Sequence, residues 1–133
     1  MRKPLVVLAE DEPLLRELFG GALLKAGWSV LVADNGESAL DLITKQRPDA
    51  VLLDLLMPKL TGYDVLERLR TSGEPFFEVL PCIVISNSGQ VSDMQRALDL
   101  GADAVLVKAD FEPAQLVAKF EHILSAKQKG AAH

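Results

Sequence analysis

Five short runs of apolar residues recur along the chain, and longer amphipathic segments separate them. The runs are nearly continuous in Val, Ile, Leu and Ala, and they begin at Leu5, Val30, Ala50, Cys82 and Ala104. Continuous apolar runs of this kind are typical of strands that are buried on both faces, as in a parallel sheet. The pattern therefore predicts five buried strands.

The segments between these runs place apolar residues three and four positions apart, which is the spacing of an amphipathic helix. The apolar sides of the five predicted helices carry, in order, Leu15, Leu18, Phe19, Ala22 and Ala26; Ala39, Leu40 and Ile43; Val65, Leu66 and Leu69; Val91, Met94 and Leu98; and Leu116, Val117, Phe120, Ile123 and Leu124. Because strand and helix alternate five times, we expect one α/β domain. It should have a doubly wound five-stranded parallel sheet, helices on both faces and right-handed crossovers.

Composition and charge narrow the possible partners of this domain. The chain has 133 residues and a net charge of −5, which gives no electrostatic support to nucleic-acid binding, so we expect no nucleic-acid partner. Its one cysteine, Cys82, excludes a disulfide within the chain. The first apolar run is too short for a signal peptide or a membrane span, so we expect a cytoplasmic protein with no membrane contact.

Polar residues follow four of the five predicted strands, at the point where each strand ends. Glu10 and Asp11 come after the first strand, Asp54 ends the third, Ser86 ends the fourth and Lys108 ends the fifth. Each residue alone could be a helix cap, a turn residue or a solvated side chain. However, the carboxyl ends of parallel strands meet at one edge of the sheet, where ligands bind. Their joint placement therefore favours a site.

The residue types at this edge indicate phosphoryl chemistry. Clustered carboxylates repel one another unless a cation lies among them, and oxygen ligands suit Mg²⁺. A carboxylate beside a metal ion and a lysine can act as a nucleophile toward phosphorus, because both cations neutralise charge on the phosphoryl oxygens. The sequence therefore predicts that Asp54, which interrupts an apolar run, accepts a phosphoryl group.

Four motifs give the chain a close resemblance to the receiver domain of bacterial two-component response regulators. They are "VVLAEDE", "VLLDLLMPKLTGYDVL", "IVISNS" and "GADAVLVKADF", in this order. The resemblance implies a flavodoxin-like fold with strand order 2-1-3-4-5. It also implies a stand-alone receiver domain over residues 1–125, similar to the chemotaxis response regulator. We expect residues 126–133 to form a flexible tail.

The resemblance also assigns roles to individual residues. Asp54 is expected to be the phosphoacceptor, with Lys108 and Ser86 contacting the phosphoryl group. The expected metal ligands are Asp11, Asp54, Glu10 and the backbone carbonyl of Leu56, and the metal is Mg²⁺, with Mn²⁺ as the alternative. The domain would catalyse only its own phosphorylation and dephosphorylation, and would not otherwise be an enzyme.

The implied partners lie on both sides of a signalling step. The phosphodonor would be a sensor histidine kinase or a histidine phosphotransfer protein. The downstream target would be a protein that binds the face formed by the fourth predicted helix, the fifth strand and the fifth predicted helix.

Three positions depart from the family pattern. Ala109 stands where receivers usually have a proline after the lysine, and a trans peptide bond is expected there because a cis bond before a non-proline residue costs about 3 kcal/mol. Val105 stands where many receivers have an aromatic residue. Leu56 offers no polar side chain at a position that tunes the acyl-phosphate lifetime, which favours a long-lived phosphoryl group.

Three other functions remain as alternatives. A receiver-like interaction module that works without phosphorylation is compatible with Ala109 and Val105. A haloacid dehalogenase-type enzyme would need an acid at position 56, which is Leu, and its other acids on different strands. A flavodoxin-like nucleotide binder would need a Gly-rich phosphate loop after the first strand, and the sequence has none there.

Overall fold

A five-stranded parallel sheet forms the centre of the computed structural model, which describes residues 3–131. Its strands are β1 (Leu5–Ala9), β2 (Ser29–Ala33), β3 (Ala50–Asp54), β4 (Cys82–Ser86) and β5 (Ala104–Val107). The order across the sheet is β2-β1-β3-β4-β5, and every neighbouring pair is parallel. The predicted fold class and strand order are therefore confirmed.

Helices cover both faces of the sheet. They are α1 (Pro13–Lys25), α2 (Gly36–Gln46), α3 (Gly62–Arg70), α4 (Pro75–Val79), α5 (Val91–Asp99) and α6 (Pro113–Ala131), and a single 3₁₀ turn spans Lys108–Asp110. The helices α1 and α6 bury residues in one core cluster, and α2, α3, α4 and α5 bury residues in the other. Because both faces are covered, every residue of β3 and β4 is buried, which explains why these strands are apolar almost throughout.

Two of the predicted helical stripes are partly wrong. In α1, Leu18 is 44% exposed, while Leu23, outside the predicted stripe, is fully buried. In α5, Val91 is 79% exposed and Leu98 is also exposed, while the small residue Ala97 makes the buried contact. Both helices turn only a narrow side toward the sheet, so several of their large apolar residues remain in contact with solvent.

The short helix α4 was not predicted from the sequence. It buries Phe77 in the core, and the guanidinium carbon of Arg47 lies 4.4 Å from the ring centre of Phe76 and 5.1 Å from that of Phe77. This cation–π contact ties α4 to the end of α2. A helix of five residues is too short to show a helical repeat of apolar positions. Its contact with Arg47 joins distant parts of the chain and leaves no local sequence pattern.

The last helix continues beyond the boundary expected for the domain. We expected a flexible tail over residues 126–133, but residues 126–131 belong to α6, and residues 132 and 133 lie outside the described part of the chain. A reason for the extra turn is Lys127, whose Nζ donates to Val79 O at 2.9 Å and to Asp103 Oδ1 at 2.8 Å. None of the described helices is long and apolar enough to cross a membrane.

Candidate functional site

The carboxyl edge of the sheet gathers the buried polar side chains of this protein. Within residues 3–131, the buried polar and charged residues are Glu10, Asp54, Ser86 and Lys108. They follow or end β1, β3, β4 and β5, so the parallel topology alone brings them to one edge. Burial of polar groups is costly unless they pair with one another or bind a ligand, so this concentration marks a site.

Three carboxylates form an acidic cluster at this edge. Glu10, Asp11 and Asp54 each offer an oxygen within 4.8 Å of the others. Lys108 is the cation among them, with its Nζ 2.6 Å from Glu10 Oε1 and 3.3 Å from Asp54 Oδ2. With all three carboxylates ionised, their negative charges exceed the single positive charge of Lys108 by two, so the cluster is suited to a divalent cation.

The pKa of Asp54 reflects this crowding. Burial raises it most, the charge of Glu10 raises it further, and Lys108 offsets only part of the increase, so the pKa is about 7 instead of 3.8. Burial on its own lowers the pKa of Lys108. The close contact with Glu10 and the charge of Asp54 outweigh burial and raise this pKa above its usual 10.5, so the lysine stays charged.

The loop after β1 is held by an arginine that the sequence analysis missed. Arg16 Nη1 donates to the backbone carbonyls of Glu10 at 3.0 Å and Asp11 at 3.5 Å. The Glu12 N–H also donates to Glu10 Oε2 at 3.1 Å. The second carboxylate oxygen, Glu10 Oε1, accepts no aligned hydrogen bond from any described residue and contacts Lys108 as an ion pair. The sequence signal for Arg16 is weak, because it lies five and six positions after two acids that precede α1, and no helical spacing links them.

The loop between β3 and α3 folds back on Asp54. The Leu56 N–H donates to Asp54 Oδ1 at 3.3 Å, and the Gly62 N–H donates to Leu55 O at 2.8 Å. Thr61 and Asp64 form a capping box that fixes the start of α3. The Leu56 side chain is 67% exposed beside the site, and its carbonyl, the expected metal ligand, lies within this loop.

The loop between β4 and α5 carries Ser86 in two successive turns. Ser86 Oγ accepts a hydrogen bond from the Ser88 N–H at 3.0 Å, and Ser88 Oγ accepts one from the Gln90 N–H at 3.1 Å. Gln90 is the residue that precedes the first turn of α5. The Ser86 hydroxyl keeps its own proton to donate, so it can bind an oxygen at the site while it holds the loop.

Comparison with known proteins identifies the family. A family model described as the response regulator receiver domain matches residues 6–121. The chain belongs to this family. A putative response regulator from Chloroflexus aurantiacus has a solved structure with a TM-score of 0.84, 31% identity, and coverage of 93% of this chain and 99% of that chain.

Two curated relatives are similar in sequence. The probable transcriptional regulator ycf27 of Guillardia theta is 36% identical over 97% of this chain and 48% of its own length. The response regulator MprA of Mycolicibacterium vanbaalenii is 38% identical over 90% of this chain and 49% of its own length. The chain therefore spans about half the length of the curated relatives it matches. It is a receiver domain of a two-component response regulator, which is a signalling module.

The positions where this receiver departs from the family pattern have defined surroundings. The described residues contain no cis peptide bond, so Lys108 and Ala109 are joined in trans, as expected, and Ala109 is exposed in the 3₁₀ turn. Val105 is half-buried and packs against the core cluster that includes α2, α3 and α5. Lys108 reaches the acids without a proline after it, so the trans bond is compatible with the assembled site.

Proposed function

We propose that this receiver domain accepts a phosphoryl group on Asp54, in the cytoplasm, in a reaction that depends on Mg²⁺. The donor is a histidine kinase or a histidine phosphotransfer protein, and the phosphorylated domain signals to a partner protein. The observation that carries this proposal is the pairing of a 3% exposed Asp54 with Lys108 inside an acidic cluster. Such a carboxylate is costly to maintain for stability alone.

The donor set fits a hard divalent cation. Glu10, Asp11 and Asp54 supply oxygen ligands within 4.8 Å of one another, and one lysine leaves their charge incompletely balanced. The Leu56 carbonyl is the proposed further ligand, and Mn²⁺ can replace Mg²⁺ at a site of this type. A bound cation would supply charge neutralisation for the phosphoryl oxygens.

The chain's own residues provide the rest of the chemistry. A carboxylate oxygen of Asp54 forms a bond to phosphorus while the bond between phosphorus and the donor nitrogen breaks, and that nitrogen keeps the electron pair. Lys108 Nζ, already 3.3 Å from Asp54 Oδ2, neutralises negative charge on the transferred group. The Ser86 hydroxyl donates a hydrogen bond to a phosphoryl oxygen. The phosphoryl group thus stays on the domain itself, and the dephosphorylated donor is released.

The change then reaches α5 through the loop that carries Ser86. Movement of Ser86 toward a phosphoryl oxygen pulls on Ser88 and Gln90, which are linked to it by the two successive turns. The face formed by α5, β5 and α6 is the proposed readout surface, and Val91 and Leu98 expose apolar area on α5 for a protein partner. The ycf27 relatives are named as transcriptional regulators, so the absence of nucleic-acid contact stays a prediction for this chain.

The test is the intact mass of the protein after incubation with acetyl phosphate, with Mg²⁺ and with EDTA. The wild type should gain one phosphoryl group only with Mg²⁺, and Asp54→Asn should gain none. Asp41→Asn, which changes an exposed aspartate of α2, is the matched control and should behave as the wild type. No gain by the wild type under any condition would contradict the proposal and favour the interaction module that works without phosphorylation.

The phosphoryl lifetime is tested with the same material. We propose a long-lived acyl phosphate, because Leu56 adds no polar group that could orient a hydrolytic water. Loss of the added mass is followed over time after the phosphodonor is removed. A half-life on the scale of seconds would contradict this part of the proposal and leave phosphorylation itself intact.

A further inference from the structure

Gly36, the first residue of α2, lies against the loop that connects β3 to α3. Its N–H faces Pro58 O at 3.4 Å. A β-carbon at this position would overlap the Leu60 carbonyl oxygen and stand 2.5 Å from the Leu60 carbonyl carbon, whereas real β-carbons essentially never approach another atom within 3.0 Å. Only glycine therefore allows α2 and this loop to approach so closely.

The loop, and not the helix, would yield to a side chain at position 36. The start of α2 is fixed, because Asn35 Oδ1 accepts the Ser38 N–H at 2.8 Å and Ala39 is fully buried one turn later. By contrast, Pro58 and Lys59 are exposed, and Lys59 already has a left-handed backbone with a φ of 70°. A larger residue at position 36 would push this outer turn of the loop away from α2.

That loop carries the metal side of the site. It begins at Asp54 and contains the Leu56 carbonyl, and it closes where the Gly62 N–H donates to Leu55 O at 2.8 Å. Gly62 also has no room for a side chain, because a β-carbon there would overlap the Asp54 carbonyl oxygen and stand 2.8 Å from Leu55 Cα. Gly62 thus lets the loop pack against the phosphoacceptor Asp54, and Gly36 lets the outer turn of the same loop pack against α2.

We propose that Gly36 is a positioning residue for the metal site of this receiver. By setting the position of the loop against α2, it sets where the Leu56 carbonyl lies relative to Asp54, and thereby the affinity for Mg²⁺. The inference rests on the proposed function for the identity of the metal ligands. The proposal gives a role to a residue of α2 that contacts neither the metal nor the phosphoryl group.

The test compares Gly36→Ala with Gly21→Ala. Gly21 is an exposed glycine within α1 whose added β-carbon would meet no atom within 4 Å, so the two variants share one chemical change. Mg²⁺ is titrated into each protein and into the wild type while backbone amide NMR signals are followed. Gly36→Ala should raise the dissociation constant for Mg²⁺ by about 10-fold or more, as loss of supporting contacts around a metal typically does. Gly21→Ala should bind as the wild type does.

A second readout separates positioning from a loss of folded protein. The initial rate of phosphorylation by acetyl phosphate is measured against Mg²⁺ concentration. Misplacement of the loop raises the half-saturating Mg²⁺ concentration and changes the rate at saturation little. Partial unfolding, measured by urea denaturation, can raise the apparent constant only by the reciprocal of the folded fraction. If Gly36→Ala does not fold, Leu60→Gly replaces it, because that change removes the Leu60 β-carbon, which lies against Gly36, and loosens the loop without a clash.

The outcomes distinguish a failure of the positioning role of Gly36 from a failure of the proposed function. If the wild type binds Mg²⁺ and the folded variants at positions 36 and 60 bind it equally well, the positioning role is wrong and the proposed function stands. If the wild type binds Mg²⁺ but takes up no phosphoryl group, the proposed function is wrong and the Mg²⁺ affinities still decide the role of Gly36. If the wild type binds no Mg²⁺, both are wrong.

Discussion

The buried carboxyl group of Asp54 should make the metal-free protein less stable as the pH rises, and Asp54→Asn should remove that effect. In the unfolded chain Asp54 ionises near its ordinary pKa of 3.8, whereas in the folded protein its pKa is about 7. The folded protein therefore keeps a proton that the unfolded chain has released. Stability consequently falls as the pH rises from about 4 to about 7 and levels off above that range.

The size of this effect follows from the pKa difference. One pKa unit corresponds to about 1.4 kcal/mol, so a shift of about three units corresponds to about 4 kcal/mol above pH 7. This figure is an upper bound, because side chains and water rearrange around an ionised group. Asparagine cannot ionise, so the free energy of unfolding of Asp54→Asn should exceed that of the wild type by a margin that grows with pH.

The assay is urea denaturation of both proteins in EDTA at pH 5, 7 and 8.5. Between the lowest and highest pH, the difference in the free energy of unfolding should grow by about 2–3 kcal/mol in favour of Asp54→Asn. Most of that growth should occur below pH 7. Addition of Mg²⁺ at pH 8.5 should stabilise the wild type much more than the variant, since the variant lacks one charged ligand.

The matched control is Asp41→Asn, which neutralises an exposed carboxylate in an ion pair with Lys45. An exposed pair of this kind contributes only a few tenths of a kcal/mol, so the control should show little change at any pH. A difference between Asp54→Asn and the wild type that stays constant from pH 5 to 8.5 would refute the reasoning. So would a variant that is less stable than the wild type at pH 8.5.

Three further predictions concern the ion pairs and the burial of side chains outside the acidic cluster. Asp103→Ala should lower the free energy of unfolding by about 2–3 kcal/mol, because Asp103 accepts a hydrogen bond from the Cys82 N–H and pairs with two cationic side chains. A loss below about 0.5 kcal/mol in urea denaturation would contradict this. Burial raises the pKa of the Cys82 thiol to about 11, so a thiol reagent should label the native protein only as it opens, and fast labelling without urea would be the contrary result. Leu52→Ala, in the fully buried β3, should lower the free energy of unfolding by about 2–5 kcal/mol, whereas Leu56→Ala, at the exposed margin of the site, should change it by no more than about 0.5 kcal/mol. Equal losses for the two variants would contradict the burial pattern.

The sheet and the location of the site could be predicted from the sequence because the strands are short apolar runs. The prediction that all five strands are buried is wrong for the edge strands β2 and β5, in each of which a single residue is buried. The run "LVVLA" is β1, and "CIVI" covers most of β4. Once five such strands alternate with helices, a parallel sheet follows, and its carboxyl edge must hold whatever ends each strand. The convergence of Asp54, Ser86 and Lys108 at this edge could therefore be predicted from the order of the strands.

The helix faces could not be predicted as well, because helices that cover a sheet contact it along a narrow line. Apolar residues such as Leu18 and Val91 match a helical period and still lie on the solvent side. In α5 the buried position is Ala97, which carries little weight in a hydrophobic pattern. The approach of Gly36 to Leu60 could not be predicted either, because it joins the start of α2 to a loop that is distant in sequence.

The pKa of Asp54 could not be predicted from the residue types at the site. An aspartate and a lysine predicted at the same edge would lead one to expect a lowered pKa for Asp54, because an opposite charge favours the ionised form. In the structure, Lys108 lies closer to Glu10, at 2.6 Å, than to Asp54, at 3.3 Å, and both acids are buried. Burial and the charge of Glu10 therefore outweigh the lysine, and the pKa of Asp54 rises. The direction of the shift depends first on the burial of Asp54 and then on how one ammonium is shared between two carboxylates, and residue types alone show neither.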